Sequence, residues 1–232
     1  MIPENRVCNG GFPIPKLLIN MEDMKLFTEE FKGFHAQFAD CFSREEPREN
    51  FSQYMAGQMS QLERKSIEPI ALNVQSAKVR AMQHFLSDIA WEEDRILSRY
   101  HDMVSEDLGD AEGVLIFDES GFVKKGNDSV GVARQYCGNI GKVENCQVGV
   151  YTAYASRHGY CFLDNRLFIP EKWFGEDYVE RRKKCRLPDE SSFKTKPQLA
   201  AEMLEKIAGE GVIPFRYVAA DSIYGSSPEF LE

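Results

Sequence analysis

The spacing of hydrophobic and polar positions changes once along this chain of 232 residues, at residues 109–113. Before that point apolar residues recur every three or four positions, as in amphipathic helices. After it, short apolar runs and alternating segments indicate β-strands. The pattern predicts a Pro- and Gly-rich arm over 1–20, a helical domain over 21–109 and a mixed sheet with helices over 113–232. The predicted fold class is therefore α+β or α/β.

Four helices are predicted in the first domain. The first carries an aromatic stripe and ends before Pro47, and the others span about 51–64, 74–86 and 90–108. Such a stripe faces a core far more often than it stacks on bases, and we interpret it as core. Its members are Phe27, Phe31, Phe34, Phe38 and Phe42.

The second domain is predicted to order its elements as strand, strand, strand, helix and strand. The strands span about 114–117, 148–155, 160–168 and 215–220, and the helix opens at Pro197. The first and last strands are short, wholly apolar runs, typical of strands buried on both faces.

Each of these two apolar runs ends in an aspartate, Asp118 after the first and Asp221 after the last. An aspartate at a strand end often only opens a turn, and for either residue alone that interpretation would suffice. Two carboxylates that converge at one sheet rim would instead suit a hard divalent cation, which prefers oxygen ligands.

Overall charge argues against a simple nucleic-acid binder, since the chain carries a formal net charge of −9. The segment 121–186 nevertheless holds twelve Lys or Arg against seven Asp or Glu. A solvated face is the usual meaning of such a run, but here it lies between the two aspartates, where a phosphate backbone would approach. The candidate DNA contacts are Lys124, Lys125, Arg134, Lys142, Arg181 and Arg182.

The composition excludes several other classes of protein. A hydrophobic fraction of 43% supplies a core. The sequence contains neither a run of about 18 apolar residues nor a signal-peptide pattern, so neither a membrane protein nor a secreted protein is predicted. The six cysteines show no zinc or disulfide spacing and indicate reduced thiols in the cytoplasm.

A family resemblance gives the two aspartates a more specific meaning. The most distinctive segment runs from Asp118-Glu119-Ser120-Gly121-Phe122 to Arg134-Gln135-Tyr136-Cys137-Gly138, and Asp221-Ser222-Ile223-Tyr224-Gly225 lies further along. Together with the intervening stretches, these resemble transposases of bacterial insertion sequences, in the DDE-superfamily endonuclease group. The resemblance covers roughly residues 25–232.

The resemblance implies an RNase H-like core in which the last strand lies parallel to the first. It implies that Asp118 and Asp221 are the first two of three acidic residues that hold two Mg²⁺ or Mn²⁺ ions for cutting and joining DNA. The third, a glutamate on a later helix, has no convincing counterpart in Glu119, Glu229 or Glu232. We therefore expect an incomplete core, resembling the N-terminal portion of a transposase and inactive in cleavage by itself.

The expected partner is double-stranded DNA, both terminal repeats and target, bound by a homodimer in the bacterial nucleoid. The helical domain is expected to recognise the repeats, with Arg64, Lys65, Lys78 and Arg80 as phosphate contacts. Two alternatives stay open: a catalytically silent DNA-binding regulator of transposition, and another RNase H-like nuclease. The reading frame beyond Glu232 would separate the enzyme from the silent fragment.

Overall fold

A computed structural model describes residues 20–89 and 92–231, so the predicted arm lies, except for Asn20, outside the described residues. The chain divides into two compact units between Ile96 and Leu97, within helix α5 (Glu93–Leu108). This boundary between the units lies before residues 109–113, where the sequence pattern changes from helical to strand-like. The reason is that the second half of α5 carries Val104, which is buried in the core of the sheet unit.

The first unit consists of helices. These are α1 (Met21–Ala36), α2 (Glu45–Met59), α3 (Ile67–Asn73), α4 (Val79–Ser87) and the start of α5, with a 3₁₀ turn at Ala39–Cys41. Helix α1 begins with a capping box, because the Asn20 side chain accepts hydrogen bonds from the backbone N–H groups of Glu22 and Asp23, while Asp23 accepts one from the Asn20 N–H. The short helix α3 was not predicted from the sequence.

The aromatic stripe is core only at its C-terminal end. Helix α1 stops at Ala36, and beyond it the rings of Phe38 and Phe42 pack against Phe51 with centroids 5.6 and 5.2 Å apart. Phe27, near the middle of α1, is 54% exposed. Pro47 lies in the first turn of α2, where its missing N–H costs no helical hydrogen bond, and so it opens the second helix.

The second unit is built on a five-stranded mixed sheet. Its strands are β1 (Val114–Val123), β2 (Ala133–Cys137), β3 (Lys142–Ser156), β4 (Gly159–Phe168) and β5 (Tyr217–Ala220). Strand β1 pairs antiparallel with β3 and parallel with β5, and the other edge of β3 pairs with β2 and β4. The order β4-β3-β1-β5 is consistent with an RNase H-like core, and it confirms the predicted fold class.

The helices of this unit are α6 (Val179–Cys185), α7 (Lys196–Glu210), α8 (Ser222–Gly225) and α9 (Pro228–Leu231). Three 3₁₀ turns lie at Gly138–Ile140, Glu171–Phe174 and Glu176–Tyr178. Helix α7 begins with a capping box between Thr195 and Gln198 and ends at Gly211, whose φ of +64° suits glycine. None of the helices within 20–89 and 92–231 has the length and apolar character needed to cross a membrane.

Helix α7 covers one face of the sheet, which makes the strands half-buried. Leu115 and Phe117 of β1 are 0% and 1% exposed and share a core with Met203 of α7, whereas Ile116 between them is 38% exposed. On the same outer face as Ile116, Phe162 of β4 is 69% exposed. The prediction that the apolar strands are buried on both faces is therefore wrong, because α7 packs on one side only. We call the other side the open face.

Candidate metal and nucleic-acid site

The register of the two parallel strands brings Asp118 and Asp221 together. The last backbone pair between β1 and β5 joins Phe117 to Ala220, and each aspartate is the next residue along its chain segment. Neighbouring positions on parallel strands point to the same face, and adjacent strands lie about 4.8 Å apart. Both aspartates are exposed and continue the row that Ile116 and Ala219 begin on the open face.

The two carboxylates are supported differently. Asp118 lies within the ten-residue strand β1, opposite Tyr151 of β3, and its Oδ1 accepts a hydrogen bond from the Glu119 N–H at 2.8 Å. Asp221 directly follows β5 and caps α8, since its Oδ1 accepts a hydrogen bond from the Ile223 N–H at 2.9 Å. Among the described residues, no donor contacts the Oδ2 atom of either aspartate, so both Oδ2 atoms stay available.

These donors fit part of a divalent-metal site. Carboxylate oxygens on rigid, adjacent strands are the ligands that Mg²⁺ and Mn²⁺ prefer. Within 20–89 and 92–231, however, no three His, Cys, Asp or Glu side chains form a group that could hold a metal ion. Asp118 and Asp221 therefore fit as two ligands of an incomplete set.

Glu119 does not complete the set, because it points to the buried side of β1. Its Oε1 lies 2.7 Å from the Lys196 ammonium and its Oε2 accepts a hydrogen bond from the Tyr224 hydroxyl at 2.7 Å. Burial acts to raise the pKa of Glu119, but the hydrogen bonds from Lys196 and Tyr224 outweigh it, and the pKa lies below its usual value. Both oxygens are thus committed away from the open face.

Glu229 is also engaged elsewhere. Its carboxylate accepts a hydrogen bond from the Gln198 side-chain amide at 3.0 Å and lies 3.5 Å from the Thr195 hydroxyl, at the N-terminus of α7. Glu232 lies outside the described residues. Sequence reasoning discounted these glutamates because they follow Asp221 too closely, and for Glu229 the structure supplies the actual partners.

Four of the candidate DNA contacts lie together at the end of the sheet where β1 ends, beyond Asp118. They are Lys124, Lys125, Arg134 and Lys142. The Lys124 N–H donates to the Asn145 carbonyl at 2.9 Å, and Asn145 is the register partner of Arg134. Because β1 runs five residues past Asp118, this end lies about 17 Å from the aspartate. Lys142 pairs with Glu144 at 3.6 Å, whereas Lys124, Lys125 and Arg134 form no ion pair with another described residue. We call Lys124, Lys125, Arg134 and Lys142 the basic end.

The other two candidates belong to the segment after β4. Arg182 donates from Nη1 to the carbonyls of Trp173 and Gly175 at 2.5 and 2.9 Å, so its guanidinium holds this loop together. Trp173 is fully buried and donates its indole N–H to the Val132 carbonyl at 2.9 Å. Arg181 stacks over the Tyr178 ring at 4.8 Å. The structural role of Arg182 was not predicted from the sequence.

A mixed sheet with carboxylates beside each other on two adjacent parallel segments is consistent with the RNase H-like core that the sequence resemblance implies. A family model described as DDE superfamily endonuclease matches residues 37–232, and the chain belongs to this family. The resemblance drawn from the sequence motifs is thereby confirmed.

The similarity to one curated relative supports the same family. A protein of Microchaete diplosiphon named "Probable transposase for insertion sequence element IS701" is 34% identical over 204 residues, which is 88% of this chain and 49% of that protein. The chain thus spans about half the length of this relative. Among solved structures, none matches the chain.

Proposed function

We propose that this chain carries part of the active centre of an insertion-sequence transposase that cuts and joins double-stranded DNA. The observation that carries the proposal is the β1–β5 register, in which Phe117 pairs with Ala220 and sets both following aspartates on the open face. Membership of the DDE superfamily endonucleases and the similarity to a probable transposase support the choice of substrate.

Asp118 and Asp221 would hold Mg²⁺ or Mn²⁺ in this centre, and the complete centre would hold two such ions. When bound, such ions lower the pKa of a coordinated water and neutralise charge on a phosphodiester. The chain's own contribution is to fix two oxygen ligands on neighbouring strands, and to keep Glu119 out of the open face by pairing it with Lys196.

The basic end would contact the DNA backbone. Lys125, Arg134 and Lys142 are exposed, and Lys124 is half-buried. Lys124 and Lys125 follow the strand that carries Asp118, and Arg134 and Lys142 lie on β2 and β3 at the same end of the sheet, so a duplex with its phosphodiester at the aspartates could reach them. Arg181 and Arg182 would add contacts from α6, where Arg182 also holds its own loop.

The helical unit would supply recognition of the terminal repeats, and a DNA-bound homodimer would bring two element ends together. Arg64, Lys65, Lys78 and Arg80 are all exposed, which suits phosphate contacts. Lys65 already donates to the Gln58 carbonyl at 2.5 Å, so its ammonium is held near the end of α2.

A second candidate function is a DNA-binding regulator without cleavage activity. It is favoured by one observation, since the described residues place no third acidic group beside Asp118 and Asp221. Such a chain would occupy element ends and compete with an active transposase. Both candidates require DNA binding, and only the enzyme requires a complete metal site.

Metal binding by the aspartates is tested by Mn²⁺ titration of the whole chain, with the signal of free Mn²⁺ followed by electron paramagnetic resonance. We expect binding that Asp118→Asn or Asp221→Asn each weakens at least tenfold, because each removes a charged ligand. Asp189→Asn, at an exposed aspartate in the loop before α7, is the matched control. Equal binding by all four proteins would refute the metal site.

DNA binding is tested by salt titration with a terminal-repeat duplex of the chain's own element and a scrambled duplex. The double variant Lys124→Ala/Lys125→Ala should weaken binding to both duplexes alike and reduce the salt slope by about 2. Arg64→Ala/Lys65→Ala should do the same. Lys25→Ala/Lys32→Ala on α1 is the control. Absence of salt-dependent binding by the native chain would contradict the transposase and the regulator alike.

A further inference from the structure

We propose that Glu119, Tyr224 and Lys196 form a positioning network that holds the two aspartates in register from the buried side of the sheet. The inference rests on the proposed function in one respect, namely that the aspartates bind a cation. The three residues do not touch that cation site. Their action would be on the backbone segments that carry Asp118 and Asp221.

The network lies where the backbone ladder ends. Phe117 and Ala220 form the last pair between β1 and β5, and after it the chain turns from β5 into α8. Past this point, the hydrogen bond of 2.7 Å from the Tyr224 hydroxyl to Glu119 Oε2 connects the two segments again. Glu119 directly follows one aspartate, and Tyr224 follows the other by three residues. A side-chain bond thus continues the link that the strands no longer provide.

Tyr224 is rigidly placed to make this bond. It is 0% exposed and its ring contacts Phe230 with centroids 5.8 Å apart. Phe230 in turn packs against Phe117 of β1 with centroids 5.3 Å apart. A phenylalanine at position 224 would fill the same apolar space, so packing alone does not explain the hydroxyl, whose burial costs free energy unless it is hydrogen-bonded.

Lys196 joins a third element to the network. It is the first residue of α7, and its ammonium lies 2.7 Å from Glu119 Oε1 and 5.7 Å from the centroid of the Phe168 ring. Its side chain is 23% exposed and that of Glu119 19%, so their attraction is only partly screened by water. The helix that covers the sheet is thereby fixed to the residue next to Asp118.

The Tyr224 hydroxyl contacts one carboxylate, that of Glu119, and is influenced by the negative charges of Asp118 and Asp221. Burial comes first in raising the pKa of Tyr224 above its usual value, followed by the hydrogen bond to Glu119 and by the negative charges of Glu119, Asp118 and Asp221. The phenol therefore stays protonated and remains a hydrogen-bond donor. A donor that stays protonated is what a permanent link between the segments requires.

The test compares Tyr224→Phe with Tyr100→Phe in the whole chain. Both variants lose one hydroxyl that bridges two elements of the sheet unit, since Tyr100 donates to the Phe162 carbonyl at 2.6 Å. We expect the Mn²⁺ dissociation constant to rise roughly tenfold in Tyr224→Phe, as for other residues that orient metal ligands, and to stay unchanged in Tyr100→Phe. Lys196→Met should act in the same direction as Tyr224→Phe.

A second measurement does not depend on metal. Hydrogen exchange followed by mass spectrometry should show faster exchange in residues 217–225 of Tyr224→Phe and no change there in Tyr100→Phe. Native affinity and native exchange in Tyr224→Phe would overturn the inference, as would equal effects of both variants. If the native chain binds no Mn²⁺, the proposed metal site fails, while the exchange of 217–225 still decides whether the network positions this segment.

Discussion

The phenolic oxygen of Tyr154 accepts a hydrogen bond from the backbone N–H of Asp110 at 2.9 Å. The same hydroxyl lies 2.8 Å from the carbonyl of Pro214, to which it donates. Asp110 precedes β1 and Pro214 precedes β5, so one fully buried tyrosine of β3 fixes the entry of both strands that carry the aspartates. The sheet is thus tied at the end opposite to the candidate metal site.

Loss of this hydroxyl is expected to destabilise the sheet unit. Tyr154→Phe would leave a buried N–H and a buried carbonyl without their partner, and we expect the free energy of unfolding to fall by about 1–3 kcal/mol. Urea denaturation measures this change. Tyr160→Phe is the control, since Tyr160 is 87% exposed. An equally small change in both variants would show that the backbone groups find other partners.

Gly113 should tolerate no side chain. A Cβ at this position would lie 2.4 Å from the Tyr154 hydroxyl oxygen, so Gly113→Ala must displace a buried ring, and we expect a loss of about 1–3 kcal/mol. Gly209 near the end of α7 has no atom within 4 Å of an added Cβ. Gly209→Ala should therefore be neutral or stabilise the helix by up to about 1 kcal/mol. Denaturation curves in which the two variants behave alike would contradict this difference.

The pair of Asp110 and Arg157 predicts a specific loss of stability in acid. Hydrogen bonds from the Arg157 guanidinium, then from the Glu112 N–H, lower the pKa of Asp110 to about 2, against about 3.9 in the unfolded chain. A carboxyl whose pKa is lowered on folding stabilises the protein above its unfolded pKa, and this contribution disappears as pH falls from about 4 to about 2.

The measurement is urea unfolding of the native chain and Asp110→Asn over that pH range. We expect the native chain to be the more stable of the two at pH 7 and the difference between them to shrink toward pH 2. Asp189→Asn should follow the native chain throughout. A difference between native chain and Asp110→Asn that stays constant with pH would contradict the ion pair.

The chain by itself is expected not to cut DNA. Two aspartates supply too few fixed ligands for two ions, and the described residues add no third acidic group. The assay incubates the native chain and Asp118→Ala with Mg²⁺ or Mn²⁺ and a labelled terminal-repeat duplex. Specific nicking at the 3′ end by the native chain, abolished in Asp118→Ala, would show that a third ligand exists, and Glu229 and Glu232 would be the first residues to replace.

The sequence predicted the architecture where its pattern is long or strongly apolar. The bounds of β4 follow from it to within one residue, and the end of β5 at Ala220 was also predicted, although β5 begins two residues later than expected. The extension of β1 to Val123 was missed because Gly121 and the polar residues around it interrupt the apolar run. Strand β2 (Ala133–Cys137) was missed because the polar residues Arg134 and Gln135 interrupt its apolar pattern. Their strand conformation is imposed by pairing with the long strand β3, a tertiary contact that local composition does not encode.

For the candidate site, candidate residues could be predicted from the sequence, but their surroundings could not. An apolar run followed by aspartate made Asp118 and Asp221 candidates, and the family resemblance, not the run itself, gave them a role as metal ligands. The partners of Glu119 could not be found, since Lys196 and Tyr224 lie 77 and 105 positions away along the chain. The alternation of strand side chains did show that Glu119 points away from Asp118, and the structure confirms this opposite orientation.

The adjacent acids Asp118 and Glu119 have opposite surroundings, and this makes β1 intolerant of changes in length. Suppose that one residue of 114–117 is deleted while the start of β1 keeps its pairing with β3. Every later residue of β1 then moves by one position, so that Glu119 turns toward the open face and Asp118 toward Lys196. The exchange is not equivalent, because aspartate is one methylene shorter and would not span the distance to Tyr224. A substitution along this strand leaves the alternation of its side chains unchanged, whereas a single-codon insertion or deletion upstream of Asp118 would exchange a proposed metal ligand for a partly buried ion-pair partner.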